Sequence, residues 1–404
     1  MLPMQRSTSP QARFGPVAAL VTLWVAALVV PSALLAQGDV DQDGFVVCLG
    51  EDTLAVERYS RTATRLESEI VLRAPVARRV MYSAAIEPGG MLRSFTLEME
   101  PLSPGPATGP PSRSTVRFEA DTADVSLTLN DTTRWIRMAA RPGSMPLAAF
   151  SHALVEQAIL HAALAGGDSV AFDWVGVGAT KAYPAYVKRT ASGRVAVGLF
   201  QAPAEVQVDA EGRILALDGR ETSVKVEVTR VKAPDLDHFA RAFVAAESTH
   251  GPVGQLSPRD TASAIVGAGR VSVDYGRPWK RGRVTFGGVV PWGRVWRTGA
   301  NQATELSTDL PLTVAGRTIQ AGRYTLWTIP HPSGATLIVN RRSGQWGTEY
   351  EPGFDLGRFP MRRDTSAVPA EQFTIEVVPL ASGGELRFRW DTVGYALSFT
   401  TSTE

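Results

Sequence analysis

Thiol chemistry is almost missing from this chain. Its 404 residues include one cysteine, Cys48, so no disulfide can form within the chain and no thiolate cluster can hold a metal. The five histidines, His152, His161, His238, His250 and His331, are scattered and make neither an HxH nor an HExxH pattern. No charge of one sign dominates either. The 41 Lys and Arg stand against 40 Asp and Glu, for a net charge of +1. Such a chain has no global field to draw it to nucleic acid or an anionic membrane, so neither is expected as a partner. Phosphate-cradling loops, dinucleotide fingerprints and nucleophile elbows are absent. No cofactor and no metal is expected, and the balance of signals leans away from an enzyme.

What is present is a globular composition, 44% hydrophobic and 20% charged, in a length that suits two domains. At the N-terminus Arg6 and Arg13 precede an apolar run over 17–35, broken by Pro31 and ending in Ala36 before Gln37-Gly38-Asp39. A basic start, an apolar centre and a small residue at the end read as a signal peptide over 1–36. The run also approaches a membrane-spanning length, so an uncleaved anchor is the alternative. Either way the remainder is expected outside the cytoplasm, periplasmic or extracellular, with the signal segment touching membrane only during export. Asp39, Asp41, Asp43 and Gly44 open like a calcium loop. The twelfth position is Gly50 instead of Glu, and no helix precedes it, so an acidic mature N-terminus is the better reading.

Residues 45–250 alternate apolar and polar positions over short segments, among them 67–72, 79–86, 92–99, 115–119, 124–129 and 133–138. Turn residues such as Pro88-Gly89-Gly90 and Asn130-Asp131 separate them. This spacing predicts an antiparallel curved sheet with one wet face. A helix is expected over about 146–165, with Pro146 in its first turn and Gly166-Gly167 after its end. A second is expected from Leu236 to Glu247, capped by Asp235, with a linker over 248–255. Strands, helix, then strands suggest an apolar concave face that is either core or a lipid site, as in periplasmic lipid-carrier proteins.

Residues 256–404 read as a β-sandwich or jelly roll of seven or more short strands. The whole chain is thus expected to be mainly β: a curved N-terminal sheet with one or two helices, then a C-terminal sandwich. An ordered series of motifs runs through this second part. It comprises Ser257-Pro258-Arg259, Asp274-Tyr275-Gly276-Arg277-Pro278, Arg281-Gly282-Arg283, Phe286-Gly287-Gly288, Pro291-Trp292-Gly293, Val295-Trp296-Arg297-Thr298-Gly299-Ala300-Asn301, Ala321-Gly322-Arg323-Tyr324-Thr325-Leu326 and Gln345-Trp346-Gly347. The series resembles the DUF2911 family of exported bacterial proteins. That resemblance implies no reaction, cofactor or catalytic residue.

Residues 274–301 are the densest in Arg, Gly and Trp. Long ordered loops in compact domains are usually functional. In the functional reading Arg277, Arg281, Arg283 and Arg297 converge on an anion. Thr298 to Asn301 then add backbone N–H groups, and Trp296 and Trp346 stack on a sugar ring. In the architectural reading the arginines brace the loop against carbonyls and acids, and Trp fills its core. A non-catalytic binding module for a small anion or carbohydrate follows from the first. A glycan hydrolase using Asp274 and Glu305 is an alternative, and lipid binding in the N-terminal domain another.

Overall fold

The computed structural model describes residues 42–103, 109–177, 179–199, 202–365 and 368–401. The expected signal peptide and the start of the calcium-like run lie outside the described residues. The chain is mainly β, as its alternation predicts. Fifteen strands form one sheet. From the strand Asp43–Leu49 the chain steps outward through successive antiparallel neighbours to an edge at Thr132–Ala139. It then begins again at the other edge, Met145–Leu147, and steps back until Glu227–Lys232 pairs with Asp43–Leu49. The two edges are joined by residues 140–144 alone, which span at most about 20 Å. The sheet therefore curls nearly into a barrel.

Inward positions such as Val80, Tyr82, Phe95 and Leu97 meet helix α1, His152–Ala165, inside the curl. Ser151 caps α1 by accepting from the Leu154 N–H at 3.3 Å, and Gly166 follows its end. The helix begins at His152, not near 146 where its apolar spacing and Pro146 suggest. Pro146 lies in the strand Met145–Leu147, which pairs in parallel with Ser169–Gly176. The chain then turns at Phe150, with φ +59. A ladder partner far along the chain has overridden local helical spacing there, as tertiary context often does.

Two buried carboxylates fix α1. Glu57 accepts from Ser68 Oγ at 2.8 Å, Tyr82 OH at 3.2 Å and Ser151 Oγ at 2.8 Å. It also accepts from the backbone N–H groups of His152 at 2.6 Å and Ala153 at 3.0 Å. Its charge thus lies at the positive end of the helix, although burial pushes its carboxyl above the usual range. Glu156 accepts from Tyr59 OH at 2.7 Å, Arg61 at 2.5 Å and the Ile214 N–H at 2.7 Å, and pairs with Arg230.

Burial also holds His152 down to about 4. Its folded pKa lies below the ordinary value near 6.5, so the unfolded chain takes up the extra proton first as pH falls. Stability should drop by about 2–3 kcal/mol between pH 6.5 and 4 through this group. Urea midpoints of the wild type and His152→Gln at both pH values check it. An equal acid loss in the two proteins would remove His152 from the account.

Helix α2, Leu236–His250, is capped by Asp235, which accepts from the His238 N–H at 2.9 Å. It packs Leu236, Ala240 and Phe243 on Val56 and Val71, on the outside of the sheet. It takes the first residues of the expected linker.

Eleven strands form the second sheet. Its first strand, Arg259–Val266, pairs with Gly269–Gly276 across the Gly267-Ala268 turn. The hairpin Ala370–Leu380 and Gly383–Asp391 joins the sheet through Val393–Thr401. That hairpin returns over the first strands. Tyr275 meets Phe373 edge to face at 5.8 Å, and its OH accepts from the Ile375 N–H at 2.9 Å. The buried rings of Phe359, Phe373, Phe388 and Trp390 form this layer's core.

Candidate functional site

The Arg- and Trp-rich segment runs between the strands Gly269–Gly276 and Thr304–Thr308. Most of its arginines do not converge. Arg277 donates from Nε to the Phe373 carbonyl at 3.2 Å, from Nη1 to Asp260 at 2.9 Å and from Nη2 to Thr374 Oγ1 at 3.1 Å. Arg281 pairs with Asp52 of the first sheet, which Arg73 also holds at 2.9 Å. Arg283 donates from Nε to the Lys280 carbonyl at 2.9 Å and from Nη2 to the Trp279 carbonyl at 2.6 Å. These three brace the segment, as guanidinium forks do in irregular loops. The expectation that they meet on one anion is corrected accordingly.

The contact with the first sheet is a turn on a turn. The Glu51 N–H donates to the Arg281 carbonyl at 3.1 Å. Gly50, Arg281 and Gly282 all have positive φ, and a Cβ on Gly50 would sit 2.1 Å from the Arg281 carbonyl oxygen. Only glycine allows that approach. A polar cleft of about 450 Å³ opens here, lined by Glu51, Asp52, Trp279, Lys280, Arg281 and Glu371 among others.

Trp296 is not available to stack on a sugar. It lies parallel to Trp390 at 6.1 Å and edge-on to Phe373 at 5.0 Å and Phe286 at 5.8 Å. Its backbone bridges to Thr328. Thr298 is fully buried against Thr328, with its hydroxyl 3.0 Å from that of Thr328. The Thr298 carbonyl accepts from Thr304 at 2.8 Å. Asn301 donates to the Ser257 carbonyl at 3.3 Å, and its own carbonyl accepts from the Gly347 N–H at 3.0 Å. Thr298 and Asn301 therefore hold the turn. Trp346 remains 43% exposed.

Arg297 stands apart. Its hydrogen bond, to the Asn301 carbonyl, is 3.5 Å long, and no carboxylate pairs with it among the described residues. Burial lowers its affinity for its proton. Lys225, from the first sheet's turn after Ile214–Asp218, lies within the field of Arg297 and Arg283. Burial first, then those two charges, push its ammonium down to about 8, against an opposing pull from Glu221. Glu221 in turn faces Arg294 at 3.8 Å. Sequence reasoning missed Lys225. It lies far along the chain from the segment and in no motif, so only the fold brings it near.

Asp274 and Glu305 face each other in register on neighbouring strands. Each is already occupied. Asp274 pairs with Arg259, while Glu305 accepts from Arg323 at 2.7 Å and from the Gly344 N–H at 2.6 Å. In the first sheet, the concave face that an acyl chain would use is filled by α1 and its core partners.

No curated protein matches the chain. A solved structure of a DUF1089 family protein from Pseudomonas aeruginosa is similar at 11% identity and a TM-score of 0.29. The match covers 41% of this chain and 90% of that one. So slight a likeness carries no argument about activity. Residues 257–399, and with them the whole Arg- and Trp-rich segment, match the model of DUF2911, a family described as of unknown function.

Proposed function

We propose that this is an exported, non-catalytic binding module that takes a small oxyanion at Arg297. The observation that carries the reading is a partly buried guanidinium with one long hydrogen bond and no acid partner among the described residues. A partly desolvated charge without an acid partner is unfavourable until an anion completes it. Lys225 and the unused Nη1 of Arg283 supply further positive charge nearby. A phosphate, sulfate or carboxylate group has the geometry that such donors recognise. The carbohydrate alternative at this segment is weakened, because the half-buried Trp296 ring is engaged by Phe286, Phe373 and Trp390.

The test is thermal unfolding of the mature chain with millimolar inorganic phosphate, sulfate or citrate. At least one should raise the Tm by about 2–4 °C, and Arg297→Met should abolish the rise. Arg297→Met alone should melt no lower than wild type, because the change removes an unpaired charge. A wild type indifferent to all three anions, or an unchanged rise in Arg297→Met, defeats the reading.

The same site makes a pH prediction. Anion stabilisation should weaken as pH rises through about 8, where Lys225 loses its proton. The ligand-free protein should behave oppositely. The unfolded lysine keeps its proton to about 10.4, so folding stability rises between these values. Allowing for solvent screening, that rise is about 1–2 kcal/mol. Lys225→Met should flatten both profiles, and profiles identical to wild type would exclude Lys225 from the site.

Export rests on the N-terminal pattern of charge, apolar run and Ala36. The intact N-terminal mass of the protein recovered from outside the cytoplasm should begin at Gln37. A chain retained in the cytoplasm with Met1 in place counts against it.

A further inference from the structure

Trp135 is the most exposed large apolar side chain among the described residues, at 72%. It lies on the edge strand Thr132–Ala139 of the first sheet. On the neighbouring strands Val116 and Val125 point into the core, so the alternate residues point outward. Ser126 lies directly opposite Trp135, Thr115 opposite Ser126, and Thr96 opposite Thr115. The Thr115 and Ser126 hydroxyls are 2.7 Å apart. This row runs across the strands for about 14 Å at the usual strand spacing.

Charges of both signs flank the row, with no positive surplus. Arg137 grips Asp124 with two bonds, from Nε at 2.6 Å and Nη2 at 2.5 Å, and faces Glu119 at 3.7 Å. Arg113 faces Glu98 at 3.1 Å, and the charge of Arg117 acts on Asp124. With Glu100, also outward on the strand Leu92–Pro101, three arginines stand against four acids. Trp135 is the one large apolar group that the outward positions of these strands carry.

We propose that this outward face binds a neutral glycan chain, with Trp135 as the plane on which a sugar ring stacks. A pyranose ring offers a C–H face to an aromatic plane, and its hydroxyls need donors and acceptors side by side. Paired Arg and carboxylate groups offer both in fixed directions, and the indole is apolar with a polar tip. The other partners fit less well. A protein interface needs an apolar centre larger than one side chain. Nucleic acid and anionic lipid need a surplus of positive charge, which this face lacks. The site is separate from Arg297 and stands or falls independently of it.

The experiment is calorimetric titration of the mature chain with cellohexaose, chitohexaose, maltohexaose and laminarihexaose. At least one should bind, with an affinity that changes little between low and high salt because the ligand is neutral. Trp135→Ala should weaken binding about tenfold or more, Trp135→Tyr should retain most of it, and Arg297→Met should leave it unchanged. Far-UV dichroism and melting should not move in Trp135→Ala, since the side chain is exposed. The proposal is overturned if none of the four binds, or if Trp135→Ala binds as wild type does. It is also overturned if light scattering shows that Trp135→Ala merely separates a dimer without altering sugar affinity.

Discussion

Glu156→Ala is expected to destabilise the protein by about 3–5 kcal/mol, the range for breaking a buried ion pair from one side. The carboxylate is fully buried and accepts from Tyr59, Arg61, Arg230 and the Ile214 backbone. Removing it leaves two arginines that are largely buried without their shared partner. Asp43 still holds Arg230 at 2.6 Å, but Arg61 keeps only a 3.1 Å bond to the Ala153 carbonyl. The loss falls on α1, because Glu156 ties its middle to the strands of Tyr59 and Arg61 on one side and of Ile214 and Arg230 on the other. Glu156→Gln keeps the shape and one acceptor, so it should cost less than Glu156→Ala. Urea unfolding followed by far-UV dichroism checks both. A loss below about 1 kcal/mol for Glu156→Ala would show that packing alone seats the helix.

Trp296→Ala should also be damaging, at about 2–4 kcal/mol, below the full range for a core aromatic because the ring is only half-buried. Its ring touches Trp390, Phe373 and Phe286, so deletion opens a cavity at the centre of an aromatic cluster. Trp296→Phe should cost only about 1–2 kcal/mol and should leave the phosphate response intact. Near-UV dichroism should lose intensity in Trp296→Ala even under native conditions, because the coupled indoles are separated. A ligand-stacking tryptophan would behave otherwise: its loss would abolish binding and spare stability. That outcome would return Trp296 to the binding surface.

The period-two segments carried the fold because each strand has one face in a core, and alternation records that directly. Val80, Tyr82 and Ala84 on one strand, Phe95 and Leu97 on the next, are legible without coordinates. The start of α1 was not, since Met145–Leu147 forms a strand only by pairing with residues some thirty positions later. Asp235 marked the start of α2 correctly because a cap is a local device. The site divided in the same way. The density of Arg and Trp in residues 274–301 was plain, but what each guanidinium touches depends on distant partners. Arg277 reaches Phe373 and Arg281 reaches Asp52. Glu156 and Lys225 left no trace in the sequence at all. An acid in a helix reads as a surface residue until the helix is found inside a sheet.

The pairing of Arg281 with Asp52 has a consequence for how this chain can be divided. The Arg281 side chain is 11% exposed, its Nε is buried with no acceptor, and its acid lies some 230 positions earlier. The first half of the protein thus carries the acid that neutralises Arg281 of the second. A fragment cut at the linker after α2 would keep the family-matched residues and still lack the acid that neutralises Arg281. Separation of the halves should therefore be opposed by salt-sensitive attraction, and Asp52→Asn should loosen the junction in the intact chain before either sheet melts.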